Sequence, residues 1–251
     1  MILHSVERGP GVLALFRELT VQAPETLSCL LVMRRAPSLP LVPQQFHGEP
    51  VAGIAVCDSG PGSDGEEVAR RLRAMGDPAV DPIGRKPFRA LQQMLDGGQP
   101  FGRRYYWKSE YLAGIAPQSD DTILSHVGRI TSPHSAVLCM TLGGAVGRPP
   151  EDTAAGNREA GCIFVVQSAW EDRAEDAAHV GWARSFHADI QPWSTGGTYV
   201  NFLTEDELAG RMQAAYGSAL HRRLAEAKSR FDPDNFFRSG HNIAPARARA
   251  S

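Results

Sequence analysis

The chain has 251 residues, 42% of them hydrophobic, 22% charged and 8% aromatic, a globular composition far from that of chains that stay disordered. Lys and Arg number 26 against 28 Asp and Glu, and the resulting net charge of −2 lacks the basic excess of a nucleic-acid binder. The longest nearly apolar run, Ala136 to Val146, is interrupted by Thr141, Gly143 and Gly144 and falls short of the roughly 20 residues that a membrane span needs. Val12, Leu13, Leu15, Phe16 and Leu19 recur at helical spacing and predict a first helix that ends at Pro24. Leu27 to Met33 reads as a strand, a Pro-rich connector follows, and Pro50 to Cys57 reads as a second strand. Glu66 to Met75 is expected to be a helix with Val68 and Leu72 inward, and Phe88, Leu91, Gln92 and Leu95 suggest another. Arg104 to Trp107 looks like a short strand, and Asp120 to Val127 a helix with an acidic first turn. Ser135 to Leu142 and Cys162 to Ala169 are predicted strands on either side of a Gly/Pro/Asp-rich loop. Ala178, Trp182, Ala183 and Phe186 mark a long helix from Ala174 to Ala188. Tyr199-Val200-Asn201-Phe202 reads as a short β segment, followed by helices over Glu205 to Ala214 and Ala219 to Arg230. Asp232-Pro233-Asp234-Asn235 forces a turn, and Ala246 to Ser251 reads as a frayed tail. Strands and helices mix without βαβ alternation, so the fold class is α+β: a large antiparallel sheet with helices on one face and a C-terminal helical segment.

Generic chemical motifs are sparse. The four cysteines stand far apart in apolar stretches without C-x-x-C spacing and read as buried thiols. The eight histidines show no H-E-x-x-H, and no metal site is expected. There is no G-x-S-x-G. Gly60-Pro61-Gly62-Ser63-Asp64-Gly65 does match G-x-G-x-x-G between a strand and a helix, with Asp81 about twenty residues on. An NAD-binding reading of it is weakened by Pro78 and Pro82, which suit no central parallel strand, and by Ser63, Asp64, Glu66 and Glu67, which look like a capped acidic helix start. A solvent loop is the preferred reading. The first residues lack the basic-then-apolar order of a signal peptide, so a cytoplasmic protein is expected.

The C-terminal third is more specific. Trp182-Ala183-Arg184, Gly197-Thr198-Tyr199-Val200-Asn201-Phe202, Ala215-Tyr216-Gly217, Arg223 to Lys228, Phe231 to Phe237 and His241 to Pro245 follow one another in an order and spacing that closely resembles the berberine bridge enzyme-like FAD-linked oxidoreductases. Upstream, Phe101-Gly102, Tyr105 to Ser109, Gly143 to Val146, and Asp152 to Ala154 with Arg158 look like the same family's substrate domain. The resemblance implies a substrate-binding domain over 1–195 and, over 196–251, a segment that packs on an FAD-binding domain. That FAD domain, with its phosphate loop and flavin-tethering His, is not matched here, and the chain resembles the family only from where that domain ends.

The resemblance also implies roles. Tyr199 and Asn201 match residues at the flavin ring, expected to be both catalytic and cofactor-binding: the phenol hydrogen-bonds or deprotonates a substrate hydroxyl, and the amide fixes orientation. A free Tyr titrates at about 10, so action as a base needs a nearby cation, for which Lys108 and Arg158 are candidates. Tyr106, Lys108 and Arg158 are expected to bind substrate and Asn242 to lie near the cofactor. Asp232 and Asn235 are expected to cap and turn the chain, and Phe236 and Phe237 to anchor it by burial. Where the family has an aromatic residue and a His before its Arg, Ala155 and Asn157 stand here. The implied function is the substrate-binding portion of an FAD-dependent oxidoreductase that moves hydride from an alcohol, sugar or amine to flavin and then to oxygen; the alternative is a catalytically silent remnant acting as a binding module. Expected partners are a small-molecule substrate, a separately encoded FAD domain, and a second copy through an exposed apolar face.

Overall fold

The computed structural model describes residues 1–40, 42–148, 153–204, 206, 207 and 209–246. Its strands are β1 (Ile2–Ser5), β2 (Leu27–Arg35), β3 (Pro50–Asp58), β4 (Arg104–Leu112), β5 (Ala136–Thr141) and β6 (Cys162–Trp170). They form one antiparallel six-stranded sheet in the order β1-β3-β2-β5-β6-β4. The helices are α1 (Gly9–Gln22), α2 (Ser63–Arg73), α3 (Phe88–Gln92), α4 (Asp120–Gly128), α5 (Asp176–Ile190), α6 (Ala209–Tyr216) and α7 (Ser218–Phe231). The expected α+β architecture is therefore present.

The main core lies between the sheet and four helices on one face. Leu27, Cys29, Leu31 and Met33 of β2 and Cys162, Phe164 and Val166 of β6 alternate toward it, where they meet the buried stripes of α1, α2, α4 and α5. Phe186 of α5 shows the packing: it stacks on His126 at 4.3 Å and meets the Phe164 and Trp182 rings at 5.7 and 6.0 Å. Burying such a ring stabilises the fold by about 2–3 kcal/mol. The intervening residues of the strands face the other way, where Leu3, Val32 and Val51 form one smaller cluster and Tyr111, Ile163 and Val165 another. All nine residues of β6 are buried, which is why Cys162 to Val166 reads as an unbroken apolar run without alternation. β1, only four residues long, has no sequence signal; it fits because β3 carries Gly53, where an added Cβ would come 1.9 Å from the Ile2 carbonyl oxygen.

Two expectations are corrected. The strand expected to stop at Trp107 continues to Leu112, because Lys108, Ser109 and Glu110 are polar yet buried and fully partnered. Tyr199 to Phe202 is not a β segment: Val200–Phe202 is a 3-10 turn entered from an extended Tyr199. Beyond it, the helix expected from Glu205 begins at Ala209; residues 205 and 208 lie outside those described.

Candidate functional site: two faces of strand β4

β4 is an edge strand, and residues 194–198 line its free edge. The Tyr111 amide donates to the Gly197 carbonyl at 3.1 Å, the Thr195 amide to the Tyr111 carbonyl at 2.8 Å, and Ser109 and Thr198 share a buried hydroxyl–hydroxyl bond of 2.9 Å. This pairing delivers the turn at Tyr199 onto the sheet face away from the helices. There Phe202 stacks on Trp107 at 5.1 Å, Tyr199 meets Phe202 edge-on at 5.2 Å, and the Asn201 amide donates to the Tyr199 hydroxyl at 2.8 Å. Trp107 and Tyr111 come from alternate positions of β4 and face this aromatic group with Ile163 and Val165 of β6. Burial pushes the Tyr111 phenol up to about 12, helped by the neighbouring Tyr199 and Glu159 and opposed by Arg158. Arg158 is thus within electrostatic reach of this face, while its guanidinium donates to the Val146 carbonyl (2.7 Å) and the Thr153 hydroxyl (3.3 Å) and its Nε is buried without a partner. Gln167 sits directly across from Trp107, 1% exposed, with neither amide atom partnered.

The even-numbered residues of β4 face the opposite way and carry charge. Lys108 donates to Thr204 (3.2 Å), Asp206 (3.1 Å) and Glu207 (2.7 Å). Burial lowers its pKa, but hydrogen bonds to Glu207, Tyr106 and Asp206 outweigh that and leave it raised. The Tyr106 hydroxyl donates to Asp206 at 2.6 Å and accepts from Arg184 at 2.9 Å. Glu110 accepts from Ser194 at 2.5 Å and pairs with His187 at 2.7 Å and Arg211 at 3.0 Å. Burial raises its pKa, yet His187, Ser194 and Arg211 together hold it below the ordinary range. Asp206 behaves alike: burial is outweighed by Thr204, Tyr106, Arg184 and Lys108, and it stays well below. This network clamps the C-terminal segment to the sheet edge. Beside it opens a cleft of about 1260 Å³ with Tyr106, Arg184, Asp206 and Asn242 on its walls.

Residues 198–244, which span the Tyr199 turn, much of the clamp, α6 and α7, match the family described as berberine and berberine like. The curated relatives and solved structures that the chain is similar to are FAD-linked oxidoreductases of the berberine bridge enzyme-like kind. The chain is 23% identical over 190 residues to an FAD-linked oxidoreductase of Dictyostelium discoideum, covering 74% of this chain and 41% of that protein. It is 26% identical over 166 residues to a monolignol oxidoreductase of Arabidopsis thaliana, covering 61% of this chain and 31% of the relative. Among solved structures, 6-hydroxy-D-nicotine oxidase from Arthrobacter nicotinovorans superposes with a TM-score of 0.76 at 19% identity, over 98% of this chain and 54% of that one. The berberine bridge enzyme-like protein 28 of Arabidopsis thaliana gives 0.72 at 15%, over 98% and 56%. These structural likenesses show the fold. The chain spans less than half the length of the two curated relatives and about half that of the solved enzymes.

Among the berberine-like site residues expected from sequence, the fold brings Tyr199 and Asn201 into direct contact and sets Arg158 within reach of their face. It puts Tyr106 and Lys108 on the other face of β4, and Asn242, exposed, in the cleft beside Tyr106. Sequence reading missed Trp107 and Phe202 as a stacked pair, Tyr111, Gln167 and the whole clamp. Alternation carried through to Leu112 is the signal that would have parted Trp107 and Tyr111 from Tyr106 and Lys108. Asp152 lies outside the described residues.

FAD, the cofactor named for the similar oxidoreductases, has phosphates that need a cradle of free amides. The Gly60–Gly65 loop does not supply one, since the Asp58 carboxylate already accepts from the Gly60 and Gly65 amides at 2.8 and 2.9 Å. Asp81, the other half of the NAD reading, is held by Arg73 at 2.6 and 3.1 Å. The C-terminal turn has the expected cap, with Asp232 accepting from the Phe236 and Phe237 amides at 2.7 and 3.0 Å and Asn235 at a φ of 52°. Its two phenylalanines are not buried, which corrects the expected anchor: Phe236 and Phe237 are 79% and 75% exposed, and Phe231 78%. Among the described residues no helix is long and apolar enough to cross a membrane.

Proposed function

We propose that this chain is the substrate-binding portion of an FAD-dependent oxidoreductase that oxidises an alcohol, a sugar or an amine, with oxygen as the final acceptor. The observation that carries the reading is the Asn201–Tyr199 hydrogen bond on the open sheet face, beside the Trp107–Phe202 stack and within a segment that matches the family. Flavin, when bound, supplies the hydride acceptor. The chain's own residues position the substrate. Asn201 occupies one lone pair of the Tyr199 oxygen and leaves the phenolic hydrogen and the second lone pair for a substrate hydroxyl or amine. The flat apolar surface of Trp107 and Phe202 holds the substrate body and keeps water off the reacting group. Arg158, within electrostatic reach of Tyr111 beside Tyr199, is the cation that would support a proton moving at the Tyr199 oxygen; Lys108 instead serves the clamp.

The ring edge of FAD suits Tyr199 and Asn201, whereas its phosphates and adenine fit nothing at the Gly60–Gly65 loop. A separate FAD-binding partner is the reading this favours. Phe231, Phe236 and Phe237, with α7, which has no buried side chain, supply the apolar face for that partner or, without it, for a second copy. The test is to combine the chain with the FAD-binding portion of a berberine-like oxidase and follow flavin absorbance as alcohols, sugars and amines are added. Substrate-dependent bleaching by the pair, absent from either part alone and reduced by about 10²–10⁴ in Tyr199→Phe, is the expected result. Assembly without bleaching by any substrate supports the alternative, a silent binding module.

A further inference from the structure

The end of the sheet remote from β4 holds a cavity of about 440 Å³, a volume in the range of small-molecule sites. It lies where β3 ends, between α2 and the 83–94 connection, four strands from the Tyr199 face. Apolar side chains line part of it, Val56, Ala69, Ile83, Leu91 and Met94. Arg73, Arg85 and Lys86 also line it, alongside Glu66, and the three cations differ in what they already hold. Arg73 is engaged by both oxygens of Asp81. Lys86 donates to the Pro82 carbonyl (2.8 Å) and Arg85 to the Pro61 carbonyl (3.3 Å), with Glu66 at 3.9 Å from the Arg85 guanidinium. Two neighbouring cations therefore line a partly apolar cavity without a carboxylate at close hydrogen-bond distance. Asp58, also on the lining, is turned onto the Gly60 and Gly65 amides.

The wall is unfinished as well. α3 has no buried side chain, Phe88 is 70% exposed and Met94 37%, so this segment presents apolar surface that the rest of the chain does not cover. An apolar body inside the cavity would cover part of it, and a carboxylate on that body would complete Arg85 and Lys86 with charge-assisted hydrogen bonds. We propose that this cavity binds a small organic carboxylate, with its hydrocarbon part against Val56, Ile83 and Leu91 and its charged end between Arg85 and Lys86. The site is independent of the oxidoreductase reading.

The full chain, titrated with 2-naphthoate and with decanoate and followed by amide chemical shifts, tests this. At least one of the two is expected to shift Val56, Cys57, Gly84, Arg85 and Lys86 saturably, with the matching primary amide at least roughly tenfold weaker. The double variant Arg85→Gln/Lys86→Gln, whose side chains touch carbonyls at the surface, is expected to fold and to bind roughly tenfold more weakly. Gly84→Trp, at a lining position where an added Cβ meets nothing within 4 Å, is expected to fill the cavity and abolish binding. No saturable shift at these residues with either carboxylate up to about 5 mM, equal affinity for the amides, or unchanged binding in the double variant overturns the proposal.

Discussion

Asp58 accepts the backbone amide of Gly65 at 2.9 Å, so the end of β3 closes the helix start that a phosphate would otherwise use. Asp58→Ala removes acceptors from the Gly60 and Gly65 amides and is expected to cost about 1–2 kcal/mol, in the manner of a lost cap, measured by urea denaturation. The same variant asks whether the loop is merely plugged. Wild-type chain is expected to bind no NAD, and measurable NAD affinity in wild type would revive the dinucleotide reading.

Glu110 is the most deeply buried carboxylate of the clamp, 1% exposed and held by His187, Ser194 and Arg211. Glu110→Ala leaves the half-buried His187, Ser194 and Arg211 without this buried partner and is expected to cost about 3–5 kcal/mol. Hydrogen exchange should show residues 194–217 losing protection first. A cost below about 1 kcal/mol would mean that the segment is held by packing instead.

Gln167 pulls the other way. Both of its amide atoms are buried without partners, and each such group carries a desolvation penalty of about 1–3 kcal/mol. Gln167→Met, of similar length, is expected to raise the unfolding midpoint. A lowered midpoint would reveal a bridging water or ligand at this position.

His4, 1% exposed on β1, has a pKa held below its ordinary value by burial, with the Arg8 charge acting in the same sense. The unfolded chain then binds more protons below about pH 6.5, so stability declines as pH falls through that value. Thermal melts of wild type and His4→Gln at pH 7 and pH 5 check the sign: the Tm drop between the two should be smaller in the variant.

Phe231→Ser/Phe236→Ser/Phe237→Ser removes three rings, each at least three-quarters exposed. The variant is expected to keep its melting temperature and to sediment as a smaller or less aggregated species than wild type. A large loss of stability would show that these rings are intramolecular anchors after all.

Much of the sheet and its helices was legible in the sequence because apolar residues there follow a single period: Leu27 to Met33 and Pro50 to Cys57 for strands, Ala178 to Phe186 for α5. The end of β4 was not, since Lys108, Ser109 and Glu110 read as a loop until their partners, Glu207, Thr198 and Arg211, are known to lie alongside. Those partners are about ninety to a hundred residues away in sequence, beyond any local pattern. The Tyr199 turn was misread for a different reason: four alternating residues fit an extended strand and a single 3-10 turn equally well. The family signature singled out Tyr199 and Asn201, whose side chains the fold brings into contact, but gave no sign of the Trp107–Phe202 stack, which depends on strand and turn meeting in space.

Because adjacent residues of β4 serve opposite faces, one nine-residue strand separates two kinds of tolerance to change. Trp107 and Tyr111 can be exchanged for other flat or bulky side chains while Lys108 and Glu110 continue to hold the C-terminal segment. If the proposed function holds, selection for a new substrate can therefore act on Trp107 and Tyr111 without loosening the clamp, whereas Ser109, between them, is tied to Thr198. A saturation library over 104–112 should accordingly sort into two interleaved sets, one that changes what is bound and one that changes whether the chain survives heating.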